Sequence, residues 1–123
     1  MRLVFADTSY WIALLNPKDS LHAKALAISG TLKECRIVTS EMVLAELLNS
    51  LGKEGNQLRA AAGRTVEALQ TDANVSVVPQ TSIQFRRAIE RYLNRLDKTW
   101  GLTDCASFLI MEEQRIQEAL GKL

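Results

Sequence analysis

Strand-like and helix-like segments alternate along this chain, predicting an α/β fold: a parallel sheet held between helices on both faces as a three-layer sandwich. Two observations carry that expectation. Leu3-Val4-Phe5-Ala6, Arg36-Ile37-Val38-Thr39 and Val75-Ser76-Val77-Val78 are short β-branched or apolar runs of strand length, each followed by turn or helix-start residues. The connections between them have helical periodicity and none is a two-residue turn. Successive strands must therefore lie parallel, with helices in the crossovers.

The elements follow in order. After the first strand, helical period covers residues 9–16 until Pro17, which lacks the N–H a helix interior needs. Ser20 opens a second helix over 20–32. Behind the second strand a helix is predicted over 40–51, stopped by Gly52, and Gly52-Lys53-Glu54-Gly55-Asn56 makes a surface turn into a helix over 57–70. The third strand leads into a helix over 81–96. Thr103 is expected to cap the last helix, 103–114, which is apolar almost all round and so belongs inside the layers. Glu118-Ala119-Leu120 then begins an edge strand.

Composition narrows the function. A chain of 123 residues with 47% hydrophobic content fills one domain, 1–123, with a real core. Its 15 basic and 14 acidic side chains leave a formal charge of +1, so contact with a nucleic acid would have to come from local patches. No run approaches the roughly 20 apolar residues of a membrane span. The N-terminus lacks the charged-then-apolar order of a secretory signal, and a soluble, cytoplasmic protein without membrane contact is expected. Cys35 and Cys105 lie in apolar contexts with no metal-binding spacing, and read as free core thiols.

Three acids stand out. Asp7, Glu46 and Asp104 each occur where a strand or loop hands over to an apolar helix, in company where an unpaired charge would cost several kcal/mol. Asp7 falls at the carboxyl end of the first strand, the sheet edge at which ligands bind. Glu46 lies in the helix after the second strand and can reach back across the same crevice, and Asp104 occupies the first turn of its own helix. Taken singly, each acid has a competing role as a surface residue favoured by the helix dipole. Taken together they suggest a shared site, where carboxylates repel unless a cation joins them. With one histidine and no cysteine pair, the oxygen-rich donor set favours Mg²⁺ or Mn²⁺ over Zn²⁺. Such a site generates hydroxide from bound water and neutralises charge on phosphate oxygens, which suits phosphodiester hydrolysis.

Phe5-Ala6-Asp7-Thr8-Ser9, Thr39-Ser40-Glu41-Met42-Val43-Leu44-Ala45-Glu46-Leu47-Leu48-Asn49 and Leu102-Thr103-Asp104-Cys105-Ala106-Ser107-Phe108 resemble, in order, the three acidic motifs of PIN-domain ribonucleases. Within that family the chain is most similar to VapC-type toxins of bacterial toxin–antitoxin pairs. The resemblance implies a Mg²⁺- or Mn²⁺-dependent endoribonuclease with Asp7, Glu46 and Asp104 as catalytic metal ligands, and Ser9 and Asn49 as polar neighbours of the site. It further implies an antitoxin that covers the acidic pocket, and a homodimer.

One departure from the family pattern bears on the site. A segment like Ile116-Gln117-Glu118-Ala119-Leu120 is normally followed by Thr, a variable residue, a fourth Asp and a last strand, whereas here Gly121-Lys122-Leu123 follows. Leu123 stands where the fourth carboxylate is expected. The expectation is a C-terminally short chain that lacks the second metal's acid and the closing strand. Its free sheet edge would be open to another chain or to exchange of elements between subunits.

Arg87, Arg91, Arg95 and Lys98 form one basic stripe on a continuous helix, along which RNA backbone could lie. A solvated face balanced by Glu90 and Asp97 is the competing reading. Trp100, just ahead of Asp104, is the better of the two tryptophans for stacking on RNA, Trp11 being assigned to the core or a subunit contact. His22 reads as a surface residue. A second function remains open: a catalytically impaired binding module whose acidic pocket receives Arg or Lys from a partner peptide.

Overall fold

In the computed structural model, residues 1–122 are described. Four strands, β1 (Arg2–Ala6), β2 (Cys35–Ser40), β3 (Val75–Val78) and β4 (Glu118–Leu120), form one sheet in the order β3-β2-β1-β4. Every pairing is parallel; Val4 lies opposite Ile37 on one side and Glu118 on the other. Parallel pairing follows from the helices in the crossovers: α1 (Thr8–Leu15) and α2 (His22–Ser29) before β2, α3 (Glu41–Leu51) and α4 (Asn56–Thr71) before β3, α5 (Ser82–Asn94) and α6 (Leu102–Gln114) before β4.

β1 lies in the sheet interior. Val4, Phe5 and Ala6 are all fully buried, which is why its sequence is a continuous apolar run rather than an alternating one. One core joins these residues to Val38 of β2, Tyr10 and Trp11 of α1, and Val43, Leu47 and Leu51 of α3. A second gathers Ala88 of α5 with Cys105, Ala106 and Leu109 of α6, and Met42, Trp100 and Leu102 pack against it. Both cysteines are free and buried, as expected. Trp11 is a core residue, and its indole N–H donates to Thr39 Oγ1. His22 is half-buried, with Nδ1 against the Ala13 carbonyl.

Some boundaries differ from expectation for identifiable reasons. α2 starts at His22 rather than Ser20, because Asp19 accepts from the Leu21 N–H through its carboxylate and from the His22 N–H through its carbonyl. α5 ends at Asn94, where Arg95 leaves the helical region. Thr103 is not the cap of α6: Gly101 holds that position, and the Asp104 carboxylate reaches back to accept the Gly101 N–H. Ser40 and Thr81, the first residues of two predicted helices, prove to be their N-caps, each hydroxyl accepting from the backbone N–H three residues on. Glu118–Leu120 is a completed strand paired to β1, reinforced by the Arg2–Glu118 ion pair. The absent fourth carboxylate was assigned to position 123, which lies outside the described residues.

Candidate active site

The carboxyl ends of β1 and β2 define the site. Asp7 is the residue after β1 and the N-cap of α1, held by its own backbone: its N–H donates to the Leu120 carbonyl of β4, and its carbonyl accepts from the Tyr10 N–H. Its carboxyl group is buried. Thr39 fastens the same point from β2, donating Oγ1 to the Ala6 carbonyl at 2.9 Å while it accepts from Trp11 of α1. Ser40 then caps α3 and aims Glu46 back over α1, where Thr8 Oγ1 donates to Glu46 Oε1 at 3.0 Å. Asp104 enters from the first turn of α6, half-buried.

Electrostatics ties the three acids together. Burial pushes the Asp7 carboxyl above the ordinary aspartate value, and the charges of Asp104 and Glu46 push it further. The Thr8 backbone N–H and the Ser9 hydroxyl oppose that shift only in part. Like charges therefore meet around a buried acid, in an oxygen donor set suited to a hard dication. Ser107, one turn beyond Asp104, adds a fully buried hydroxyl that has no partner among the described residues. As they stand, no three acidic, His or Cys side chains among the described residues are gathered closely enough to hold an ion jointly. Glu46 rests on Thr8 and Asp104 on Gly101, each acid taking a local donor that offsets its charge. The carboxylates together offer the kind of hard oxygen donors that a divalent ion takes.

The other expected residues divide. Ser9 is half-buried beside Asp7, and its Oγ accepts the Lys122 N–H at 2.8 Å. Gly121 makes that approach possible: its φ is +109°, and a Cβ there would lie 2.6 Å from Ser9 Oγ and 3.0 Å from Asp7 Cβ. Asn49 is exposed on α3, nearly one turn past Glu46. Arg87 pairs with Glu113, and Arg91 with Glu112 at 2.6 Å, so two members of the basic stripe spend their charge on α6. Arg95 pairs with Asp97, as the competing reading anticipated. All three arginines and Trp100 line a cleft of about 840 Å³ between α5, α6 and β4 that contains none of the three acids.

Two positioning residues escaped the sequence reading. Thr8 lies within the quoted Asp7-Thr8-Ser9 motif, and its signal was a hydroxyl flanking an acid at a helix start. Thr39 was legible only as a strand residue, although a polar side chain in an otherwise apolar central strand signals a buried hydrogen bond.

Among the described residues, no helix is long and apolar enough to cross a membrane. The family model for the PIN domain matches residues 4–117. Two curated proteins, both named 23S rRNA-specific endonuclease VapC20 and from two strains of Mycobacterium tuberculosis, are each 30% identical over 117 residues, 95% of this chain and 86% of theirs. A crystal structure of Mycobacterium tuberculosis VapC20, described as a Sarcin-Ricin loop cleaving toxin, superposes with a TM-score of 0.86 at 27% identity, covering 98% of this chain and 89% of that one. The parallel sheet, the acids around the end of β1 and a family match across nearly the whole length agree: this chain belongs to the PIN-domain family.

Proposed function

We propose that the chain is a divalent-metal-dependent endoribonuclease, the toxin of a toxin–antitoxin pair acting in the cytoplasm, with Asp7, Glu46 and Asp104 as its metal ligands. The observation that carries the reading is the buried Asp7 carboxyl, driven upward by its own burial and by the other two acids. Mg²⁺ or Mn²⁺, when bound, supplies an activated water and neutralises charge on the phosphate. Asp7 holds its place through Leu120, Thr39 and the cap of α1. Glu46 and Asp104 flank it from α3 and α6, and Thr8 and Ser9 orient the rim. The VapC20 relatives act on 23S rRNA, which makes structured ribosomal RNA the first substrate to assay here.

The test is incubation of 23S rRNA and its isolated stem-loops with the purified chain, in Mn²⁺ and in chelator. Metal-dependent cuts at defined positions are expected; none at any Mn²⁺ concentration would refute the reading. Metal binding is measured separately, because an ion that binds only the folded chain stabilises it by about 2.7 kcal/mol at roughly a hundredfold excess over Kd. A melting temperature unmoved by Mn²⁺ would count against the three-acid site. The peptide-clamp alternative draws on the locally satisfied carboxylates and predicts partner binding that survives chelator, without cleavage.

The homodimer is assigned to α5. Phe85, Tyr92 and Leu93 share a flank of this helix and Leu96 follows just beyond its end; Leu93 and Leu96 are 59% and 83% exposed, more than scattered surface leucines require. A second copy of the chain is the occupant proposed. Leu93→Arg is expected to turn dimer into monomer in sedimentation velocity; an unchanged dimer would place the interface elsewhere.

A further inference from the structure

The cleft between α5 and α6 holds an aromatic pair at its lip. Trp100 and Phe108 meet edge to face with ring centroids 4.7 Å apart. The Arg95 guanidinium lies 5.1 Å from the Trp100 ring centroid and Lys98 Nζ 5.5 Å. Asp97 neutralises Arg95, while Lys98 forms no ion pair among the described residues, so this lip carries a surplus positive charge. Deeper in the cleft the balance differs: Arg87 and Arg91 are matched by Glu113 and Glu112, and Glu90, which also lines it, adds a negative charge with no ion pair among the described residues.

Two links join the lip to the acids. Phe108 stands one helical turn from Asp104 on α6, so the two side chains are neighbours on one face, about 5–6 Å apart at Cβ. Trp100 immediately precedes Gly101, whose N–H the Asp104 carboxylate accepts at 3.0 Å. A ring flanked by cations beside a phosphodiester-cleaving site has the makings of a stacking platform: the π face accepts any base and the cations meet the adjoining phosphates.

We infer that Trp100, with Phe108, Arg95 and Lys98, forms a subsite for one unpaired base of the RNA strand next to the phosphodiester at the three acids. The inference rests on the nuclease reading. The occupant is RNA rather than an acidic peptide, because the lip offers a flat aromatic face together with surplus positive charge, and a base with its phosphate satisfies both. Arg95 and Lys98 already lie over the indole, so an incoming base displaces one of them or stacks beside it, and the cation freed turns to phosphate.

Oligo(U) is titrated in chelator, where no cleavage occurs, against the unmodified chain, Trp100→Ala and Trp100→Phe. Trp100→Ala is expected to weaken binding about tenfold, the lower range of a stacking interaction, with Trp100→Phe retaining most of the affinity. With Mn²⁺ the same loss should appear in KM while kcat changes little. Oligo(U) should also quench the Trp100 fluorescence, Trp11 being buried against Thr39 and giving a constant background. Unaltered oligo(U) affinity in a folded Trp100→Ala chain overturns the subsite, even where the change weakens binding of a protein partner. Should Trp100→Ala not fold, Arg95→Gln together with the quenching titration decides: no quenching and no loss of affinity overturn it equally. Absence of Mn²⁺-dependent cleavage by the unmodified chain would instead defeat the nuclease reading, and the chelator titration is read independently of it.

Discussion

Asp7→Asn is expected to lower metal-dependent RNA cleavage about a thousandfold while raising the melting temperature of the metal-free protein. The first effect follows from losing several kcal/mol of metal-borne charge stabilisation, each ~1.4 kcal/mol being a factor of ten in rate. The second follows from burial: Asp7 is 5% exposed and faces two other negative charges. Asparagine keeps the shape and removes the charge. The pH dependence has a definite sign. Because the folded chain holds the Asp7 proton above the ordinary value of 3.8, the group contributes its full stability below the unfolded pKa and loses it as pH rises through the folded one. The gap in melting temperature between Asp7→Asn and the unmodified chain, both metal-free, should therefore open above pH 3.8 and level off beyond the raised pKa. A gap that is flat across this range, or of opposite sign, would mean that the Asp7 charge is already compensated.

Thr39→Val should destabilise the fold by about 3 kcal/mol in chemical denaturation, a large part of the 5–15 kcal/mol that holds a typical domain together. The side chain is fully buried and the volumes match, so packing is not the cause. Valine deprives the Trp11 indole N–H of its acceptor and the Ala6 carbonyl of the Thr39 donor, and each stranded buried group costs about 1–3 kcal/mol. Thr39→Ser keeps the hydroxyl and should cost clearly less. Since Ala6 immediately precedes Asp7, the valine variant should also cleave more slowly per folded molecule. Equal stability of the Val and Ser variants would show that the hydroxyl bridge contributes little.

The fold was legible because its signals are local. Val75–Val78 is a strand with the bounds its β-branched run suggests, and Ser40 and Thr81 cap the helices that they precede. The start of α6 was misplaced because the cap is supplied from downstream: an Asp at the third helical position serves a glycine that has no side chain of its own, and Thr103 lies buried instead. The basic stripe was expected on one continuous helix, but α5 ends at Asn94 and leaves Arg95 and Lys98 beyond it, and the pairing of Arg87 and Arg91 with Glu113 and Glu112 depends on how α5 docks on α6, which no short window encodes. The apolar setting that singled out Asp7 reflects true burial, whereas Glu46, singled out the same way, is exposed on α3 because its side chain lies on the solvent side of that helix. The hydroxyl and amide on which Glu46 and Asp104 rest were not legible, because each contact is a small energetic choice made after the helices have packed.

The acids are widely separated along the chain: Asp7 and Glu46 belong to its first half, Asp104 to the last helix, and β4 closes on β1 later still. The ribosome makes the chain from its N-terminal end, and a domain folds as a unit. A half-made chain therefore carries two of the three acids and an unfinished sheet. Under the proposed reading the site is complete only once α6 has emerged and packed on the rest of the fold.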